Sequence, residues 1–169
     1  MNPAAGAGAP SVRRLRVADA ADYQALRLRA LREHPAAFTS SFEEEQARPL
    51  AWAEARLREH PNRPHDVFLG AFSGATLAGM VGLQGRYRPK ERHNATVVGM
   101  YVAPELAGRG LGRALMNELL ACARALADLA QLDLTVTEGN HAAQSLYARC
   151  GFSVFGRQPN AIRLDGREF

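Results

Sequence analysis

Hydrophobic and polar positions along this chain follow two different periods, and each change of period predicts a new element. Apolar residues recur at every second position in strands and at every third or fourth position in helices. In the first half of the chain the pattern predicts a strand over 12–17, a helix from Asp19 to about Leu31, a helix over 49–59 and a hairpin of strands 66–73 and 75–86. Pro35 and Pro61 end the two helices, because the residue before a proline resists helical geometry.

The second half of the chain predicts a strand–helix–strand unit followed by a shorter helix and a final hairpin. Its elements are a strand over 95–102, a helix over 110–130, a strand over 132–137, a helix from about His141 to Arg149, strands at 152–155 and 161–164, and a turn at Asp165-Gly166. The two strands of the first unit should be parallel with a right-handed crossover, since a helix joins them. Gly151 supplies the residue that closes the shorter helix.

Composition narrows the classes of protein to which the chain can belong. It has 169 residues, of which 47% are hydrophobic and 22% charged, and this suits one folded domain over 12–169. The segment 1–11 is rich in Ala, Gly and Pro and predicts a disordered tail. The sequence shows neither a secretion signal nor an apolar run long enough for a membrane span, so we expect a cytoplasmic protein without membrane association. Cys122 and Cys150 are expected to be reduced core thiols.

Net charge alone does not indicate a nucleic-acid partner. The formal net charge is +4, but the arginines are scattered along the chain. Binding of nucleic acid requires a clustered basic stripe. A phosphate-rich cofactor explains a mildly basic protein equally well, so no nucleic-acid partner is expected.

The turn between the strand 95–102 and the helix 110–130 has the composition of an anion site. It contains Gly108, Gly110 and Gly112, flanked by two arginines. The first N–H groups of a helix lack intrahelical partners and lie at the positive end of its dipole, and glycine lets a phosphate approach them closely. The turn has neither the Lys of an ATPase P-loop nor the G-x-G-x-x-G spacing of a dinucleotide fold. It therefore predicts a different phosphate ligand.

Two segments of the chain resemble a known family. The run MYVAPELAGRGLGRALM is similar to the acetyl-CoA signature of the GNAT superfamily of N-acetyltransferases, with Ala107 where the family usually has Arg or Gln. Asn140, Leu146-Tyr147 and Cys150-Gly151-Phe152 resemble the family's N-x-x-A-x-x-L-Y-x-x-x-G-F segment. The order of predicted elements is the GNAT order as well. The resemblance implies an α/β (α+β) fold, with a central mixed twisted sheet of six to seven strands and about four helices on both faces.

The resemblance also implies a site for acetyl-CoA and a catalytic tyrosine. The cofactor-binding residues that it implies are Met100, Tyr101, Val102, Ala107, Gly108, Arg109, Gly110, Leu111, Gly112, Arg113 and Asn140. The backbone of Met100 and Val102 would bind the pantetheine arm, and the turn amides would bind the pyrophosphate. Asn140 would contact the cofactor, cap a helix, or do both. Tyr147 would protonate the CoA thiolate while acetyl passes directly to a primary amine in a ternary complex. No metal is expected.

Two positions in the strand 95–102 bear on this chemistry. Gly99 fits either a bulge or a packing glycine. Thr96 occupies about the position at which many GNAT relatives have a glutamate base. The general base is therefore open among several groups, namely His93, Glu91, Glu138 and a chain of waters.

The acceptor is predicted only as a small-molecule or peptide amine, because the fold fixes the cofactor and leaves the acceptor open. In relatives the segments that correspond to Glu33–Pro49 and Gly156–Gly166 wall the acceptor site. The run Glu43–Glu45 either attracts a cationic amine or is a solvated acidic run. The alternative function is a non-catalytic acyl-CoA-binding module or sensor, motivated by Ala107 and Thr96.

The last residues predict an open sheet edge. Asp165-Gly166 is a strong hairpin signal, yet the strand that follows it has three residues. Such a strand pairs with only part of a typical partner. We therefore expect either a homodimer that covers the edge or a chain shortened relative to its native reading frame.

Overall fold

The computed structural model describes residues 10–169, and its elements follow the predicted order. The strands are β1 (Ser11–Arg14), β2 (Val67–Ser73), β3 (Thr76–Gly85), β4 (Asn94–Val102), β5 (Gln131–Asp133), β6 (Arg163–Leu164) and β7 (Arg167–Glu168). The helices are α1 (Ala20–Glu33), α2 (Phe42–Gln46), α3 (Leu50–Leu57), α4 (Leu111–Arg124) and α5 (His141–Arg149). Most of the predicted tail over 1–11 lies outside the described residues, whereas Ser11 already belongs to β1.

Five strands form one mixed sheet in the order β1-β2-β3-β4-β5. The first four are antiparallel neighbours, and β5 lies parallel to β4, as the strand–helix–strand unit predicted. The last two strands form a separate hairpin around Asp165 and Gly166, both of which have positive φ. That is the turn geometry these residue types favour. The predicted α/β class with a mixed sheet is confirmed.

The sheet has fewer strands than the six to seven expected. The segment 152–155, predicted as a strand, pairs with no strand in the described part of the chain, and Val154 and Phe155 are 92% and 89% exposed. Apolar residues favour a strand where a pleated, half-buried surface receives them, and here no such surface does. The final hairpin also stays outside the five-stranded sheet. A homodimer that covers its edge stays a prediction.

The strand β5 is shorter than the predicted strand 132–137. Its three residues pair with 94–96 of β4, and the chain then leaves its neighbour. Leu134 and Val136 still pack, half-buried, in the core beneath α4. The alternation in this segment therefore reflects burial of one face rather than pairing with β4.

Two helix ends differ in detail from the prediction. α4 ends at Arg124 rather than near 130, because the following backbone amides bond in tight turns. α1 begins directly after Asp19 as predicted, but the Asp19 carboxylate accepts from Arg13 and from the backbone N–H of Arg16 instead of from the helix amides. Asp19 thus joins β1 to the start of the helix.

The acidic run Glu43–Glu45, expected in a loop, forms the helix α2. The Ser41 hydroxyl accepts from the Glu44 N–H at 3.1 Å and caps the helix. The carboxylates lie in the first turn, where the helix dipole favours negative charge. Glu45 is buried, so of the two interpretations of this run, that of a solvated acidic run does not hold for Glu45.

Two apolar cores cover the two faces of the sheet. One lies beneath α1 and α3 and includes Phe68 and Tyr101. The other lies beneath α4 and α5 and includes Leu115, with the half-buried free thiols of Cys122 and Cys150 packed against it. Within residues 10–169, no helix combines the length and apolar character that a membrane span requires.

Candidate active site

A bulge interrupts β4 at Gly99. Val98 pairs with Gly82 and Tyr101 pairs with Met80, so two residues of β4 lie opposite one residue of β3. Gly99 has a φ of 64°, a conformation that side-chain-bearing residues rarely adopt. Of the two interpretations of Gly99, the structure shows the bulge. A bulge bends its strand and redirects the backbone groups beside it.

A gap opens between β4 and β5 next to this bulge. The last paired residues are Thr96 and Asp133, three positions before Gly99. Beyond them, no backbone hydrogen bond joins β4 to the segment 134–137 among the described residues. Backbone N–H and C=O groups at such an edge need hydrogen-bond partners. The gap is therefore lined by backbone groups that an extended ligand can pair with.

The glycine turn lies at the end of the strand that borders the gap. Gly108 and Gly110 have φ of 75° and 78°, and a Cβ on either would meet no atom within 4 Å in the described part of the chain, apart from the adjacent residues. Gly110 is the N-cap of α4 and has no side chain to cover the first amides. Arg109 and Arg113 are exposed and form no ion pair within the described chain. The turn thus presents open backbone amides and two arginines to solvent.

Gly112 has a different role from that of the two turn glycines. A Cβ at this position would lie 3.3 Å from Cε of Met100 and 3.4 Å from Cδ2 of Leu146. The glycine therefore lets α4 pack closely against β4 and α5. The expectation that Gly112 makes room for phosphate is replaced by a packing role, because its missing side chain faces the protein.

The predicted cofactor-binding residues of β4 and of the turn differ in how far their side chains are buried. The side chains of Met100 and Val102 pack, half-buried, in the core beneath α4. Tyr101 points to the opposite face, beneath α1. Ala107 is exposed and extended, while the side chain of Leu111 is buried. Of these five side chains, only that of Ala107 is exposed, and it carries no polar group.

Asn140 and Tyr147 lie on α5, which packs near the gap through Leu146. The Asn140 side-chain oxygen accepts from the Ala143 N–H at 3.2 Å, so Asn140 caps α5. Tyr147 is 9% exposed, and its ring meets the edge of Phe152 at a centroid distance of 6.1 Å. Burial raises the pKa of Tyr147 to about 12. The phenol therefore keeps its proton at neutral pH.

A polar network on the opposite face was not predicted from the sequence. The Tyr101 hydroxyl donates to Glu33 at 2.5 Å, and Arg29 donates to both Glu33 and Glu105, each at 2.7 Å. The hydrogen bond from Tyr101, followed by that from Arg29, lowers the pKa of Glu33, and Arg29 lowers the pKa of Glu105 to about 2. Burial and the Glu33 carboxylate raise the pKa of Tyr101. The network ties the end of α1 to β4 and to the approach to the glycine turn.

Asp133 was not predicted from the sequence as a residue of the site either. Its carboxylate accepts from the Thr96 hydroxyl at 2.7 Å and is paired with Arg86. The parallel register places Asp133 directly beside Thr96. A carboxylate therefore does stand next to Thr96, although it belongs to the neighbouring strand.

Arg27 and Glu45 form a buried ion pair beside the bulge. Arg27 Nε and Nη2 donate to the two carboxylate oxygens at 3.0 and 2.8 Å. Burial opposes the charge of Glu45, but the hydrogen bonds and charge of Arg27 outweigh it and lower the pKa of that carboxyl. A Cβ built on Gly99 would lie 3.8 Å from Arg27 Nη1, so the guanidinium faces the bulge.

The arrangement of bulge, gap and glycine turn agrees with a comparison against known families. Residues 27–152 match the Acetyltransferase (GNAT) family. That stretch covers most of the chain and contains the bulge, the glycine turn and α5. The chain belongs to the GNAT family.

Curated GNAT relatives match about two thirds of the chain. The N-alpha-acetyltransferase RimI of Mycobacterium tuberculosis is 35% identical over 119 residues, which are 69% of this chain and 71% of RimI. An L-methionine sulfoximine/L-methionine sulfone acetyltransferase of Pseudomonas paraeruginosa is 30% identical over 69% of this chain and 65% of its own length. The chain is accordingly an acetyltransferase, and these relatives favour the enzyme over a non-catalytic binding module.

Solved GNAT structures share the fold. A GNAT acetyltransferase from Streptococcus pneumoniae superimposes with a TM-score of 0.85 at 25% identity, covering 93% of this chain and 92% of that one. A Salmonella typhimurium acetyltransferase, determined with its cofactor acetyl-CoA, has a TM-score of 0.77 at 23% identity, covering 95% and 89%.

Tyr147 of this GNAT protein gives a prediction for alkaline stability. Its folded pKa of about 12 exceeds the ordinary value of 10.0, so the unfolded chain loses this proton first as the pH rises. The stability that the protonated phenol contributes is complete below pH 10 and is lost between pH 10 and 12. Over that range, the free energy of unfolding should fall by about 2 kcal/mol more in the wild type than in Tyr147→Phe.

Urea unfolding followed by the fluorescence of Trp52 measures this difference. The other tyrosines are common to both proteins, so their contributions cancel in the comparison. Equal losses of stability in the wild type and the variant would show that Tyr147 titrates normally.

Proposed function

We propose that this acetyltransferase moves acetyl from acetyl-CoA directly to the primary amine of a small molecule or peptide in a ternary complex. The observation that carries the proposal is the gap beside the Gly99 bulge, continuous with a glycine turn at the head of α4. An extended arm ending in phosphates fits such a combination of backbone edge and helix N-terminus. The two curated relatives, one named for N-alpha acetylation and one for an amino-acid derivative, are in keeping with an amine acceptor.

The cofactor is held mainly by main-chain groups in this proposal. The backbone of Met100 and Val102 pairs with the pantetheine arm, as a neighbouring strand would. The amides of 108–113 bind the pyrophosphate, with Arg109 and Arg113 adding charge. Ala107 contributes no side-chain donor, and Asn140 uses its oxygen in the helix cap, which leaves its amide nitrogen for the cofactor. The Salmonella neighbour with bound acetyl-CoA supports this choice of cofactor.

The chemistry consists of one bond made and one bond broken at the acetyl carbon. The neutral amine attacks the thioester carbonyl and forms a tetrahedral species. The carbon–sulfur bond then breaks, and the departing thiolate takes a proton from the Tyr147 hydroxyl. Because burial raises the pKa of Tyr147 to about 12, the phenol carries the required proton throughout the neutral range.

The position of the bulge guides the choice of general base. Each residue of a strand advances about 3.3 Å, so His93, six positions before Gly99, lies roughly 20 Å from the bulge along β4. Glu91 lies farther still along the chain, and Glu138 is paired with Arg157 on the surface. Asp133 stands level with Thr96, roughly 10 Å from the bulge on the same estimate. The amine proton leaves through water towards Asp133 in this proposal.

The role of Tyr147 predicts a defect confined to turnover. Tyr147→Phe should lower kcat about 10²-fold, the range of a general acid, and leave the dissociation constant of acetyl-CoA unchanged. Release of free CoA over a panel of amines, with calorimetry for acetyl-CoA, measures both quantities. Tyr87→Phe is the matched control, because Tyr87 bonds to Asp66 away from the gap. Wild-type turnover in Tyr147→Phe would remove Tyr147 from the mechanism.

The proposed proton route predicts different effects for two candidate bases. Asp133→Asn should lower kcat about 10²-fold because the proton loses its acceptor, whereas His93→Gln should leave kcat near the wild-type value. The melting temperature and the dissociation constant of acetyl-CoA identify any loss that comes from the broken pair with Arg86. A large effect at His93 and none at Asp133 would reverse the assignment.

A further inference from the structure

Arg27 has a nitrogen that its buried ion pair does not use. Nε and Nη2 bind Glu45, while Nη1 has no hydrogen-bond acceptor among the residues that the structure describes. Arg27 is only 8% exposed and Glu45 only 3%. Nη1 is not one of the fully buried polar atoms without a partner, so part of its surface remains accessible. It is therefore free to donate to an oxygen atom that is supplied from outside the chain.

The guanidinium is held in a fixed orientation. The two bonds to Glu45 occupy one edge of its plane, and the Phe38 ring stacks at 4.7 Å from its central carbon. Such a bidentate pair fixes direction as well as position. Nη1 therefore points steadily at the bulge residue Gly99.

The space between Nη1 and the bulge is open. Apart from the residues next to it in the chain, a Cβ at Gly99 would have Arg27 Nη1, at 3.8 Å, as its only neighbour within 4 Å among residues 10–169. Arg27 belongs to α1, which covers the face of the sheet opposite to α4 and α5. The segment after α1 is tied to the far side of the gap, because the Thr137 hydroxyl donates to the Ala36 carbonyl at 2.6 Å. An amine that reaches the bulge from this face passes beside Arg27.

The charge of the pair favours an oxygen acceptor over a bare ammonium group. Glu45 balances the charge of Arg27, so the pair offers N–H groups without offering a free carboxylate. In an α-aminoacyl group the carbon next to the amine-bearing carbon carries a carbonyl or carboxylate oxygen. That oxygen can accept from Nη1 while the amine faces the acetyl group.

We propose that Arg27 Nη1 binds the carbonyl or carboxylate oxygen of an α-aminoacyl acceptor and so selects α-amines over simple amines. The proposal rests on the proposed function, in which acetyl-CoA occupies the gap. Arg27 is then a specificity residue that touches the acceptor, and Glu45 is its positioning residue. Free amino acids and the first residue of a peptide both carry such an oxygen, and the test distinguishes these two kinds of acceptor.

The test compares acceptors that share one side chain and differ in the group on the amine-bearing carbon, which is hydrogen, an amide, a carboxylate or a peptide. The probes are 3-(methylthio)propylamine, L-methionine amide, L-methionine and a peptide that begins with methionine, with kcat/KM corrected for the neutral fraction of each amine. The wild type should prefer at least one oxygen-bearing probe over the simple amine by about 10- to 100-fold, the range expected for a hydrogen bond from a charged donor. Preference for methionine points to a free carboxylate, and preference for the amide and peptide points to a carbonyl. A wild type without any such preference overturns the proposal.

The variants separate recognition from folding. Arg27→Met/Glu45→Leu replaces the pair with apolar residues of similar volume, an exchange that is often neutral for stability. It should lower kcat/KM for the oxygen-bearing probes about 10- to 100-fold more than for the simple amine, and so abolish the preference. Glu45→Gln retains an oxygen for Arg27 and should keep most of the preference. Arg13→Met is the control, since Arg13 makes its own bidentate pair at the other end of α1.

Each result of the variants supports or overturns the proposed role of Arg27. A double variant that loses activity equally on all probes shows that Arg27 acts on folding or on the acetyl group, and this overturns the proposal. If the double variant does not fold, Arg27→Lys, which keeps the charge but lacks the planar fork, makes the same comparison. Calorimetry with acetyl-CoA is run on every protein. A wild type that does not bind acetyl-CoA rejects the proposed function itself, a result distinct from a loss of acceptor preference.

Discussion

The parting of β4 from β5 is the constraint on which the rest of the structure depends. Parallel pairing between β4 and β5 stops at Thr96 and Asp133, and the bulge at Gly99 then bends β4. Backbone groups deprived of a strand partner are satisfied by solvent or by a ligand. The sheet therefore lacks part of its backbone pairing at the place where, in our proposal, the extended arm of acetyl-CoA binds.

Contacts on both faces hold the parted strands in place. On the α4 side, the missing side chain of Gly112 lets the helix approach Met100 and Leu146. On the α1 side, Tyr101 and Arg29 connect β4 and the approach to the glycine turn to the end of α1. Both sets fix the position of the turn relative to the gap. A ligand that spans the two thus meets a site formed by packing rather than by loops alone.

Local signals in the sequence predicted the features that depend on neighbouring residues. Gly108 and Gly110 of the turn, Gly151 after α5 and Asp165-Gly166 in the final hairpin all adopt the positive φ that their residue types allow. A pantetheine arm bound along the backbone of Met100 and Val102 was expected from the family resemblance alone, whereas the alternation over 132–137 predicted a longer strand than β5.

Contacts between distant residues could not be predicted in this way. The burial of Glu45 was not predicted because its partner, Arg27, lies 18 positions away on another helix. Asp133 was overlooked because its hydrogen bond to Thr96 joins positions 37 apart and depends on the strand register. The segment 152–155 has a strand-like composition, yet Val154 and Phe155 face solvent. In each case the environment of the residue depends on contacts with residues distant in the sequence, or on their absence among the described residues. Only the tertiary structure determines such contacts.

A titration of the ¹⁵N-labelled protein with acetyl-CoA, followed by amide chemical shifts, tests the central claim most directly. If the gap and the turn form one cofactor site, the amides of Met100, Val102 and 108–113 shift together and saturate at the same ligand concentration. The amides of β1 and β2, which lie away from the gap, stay in place. Saturation without shifts in β4 and the turn, or shifts confined to another surface, would contradict the account.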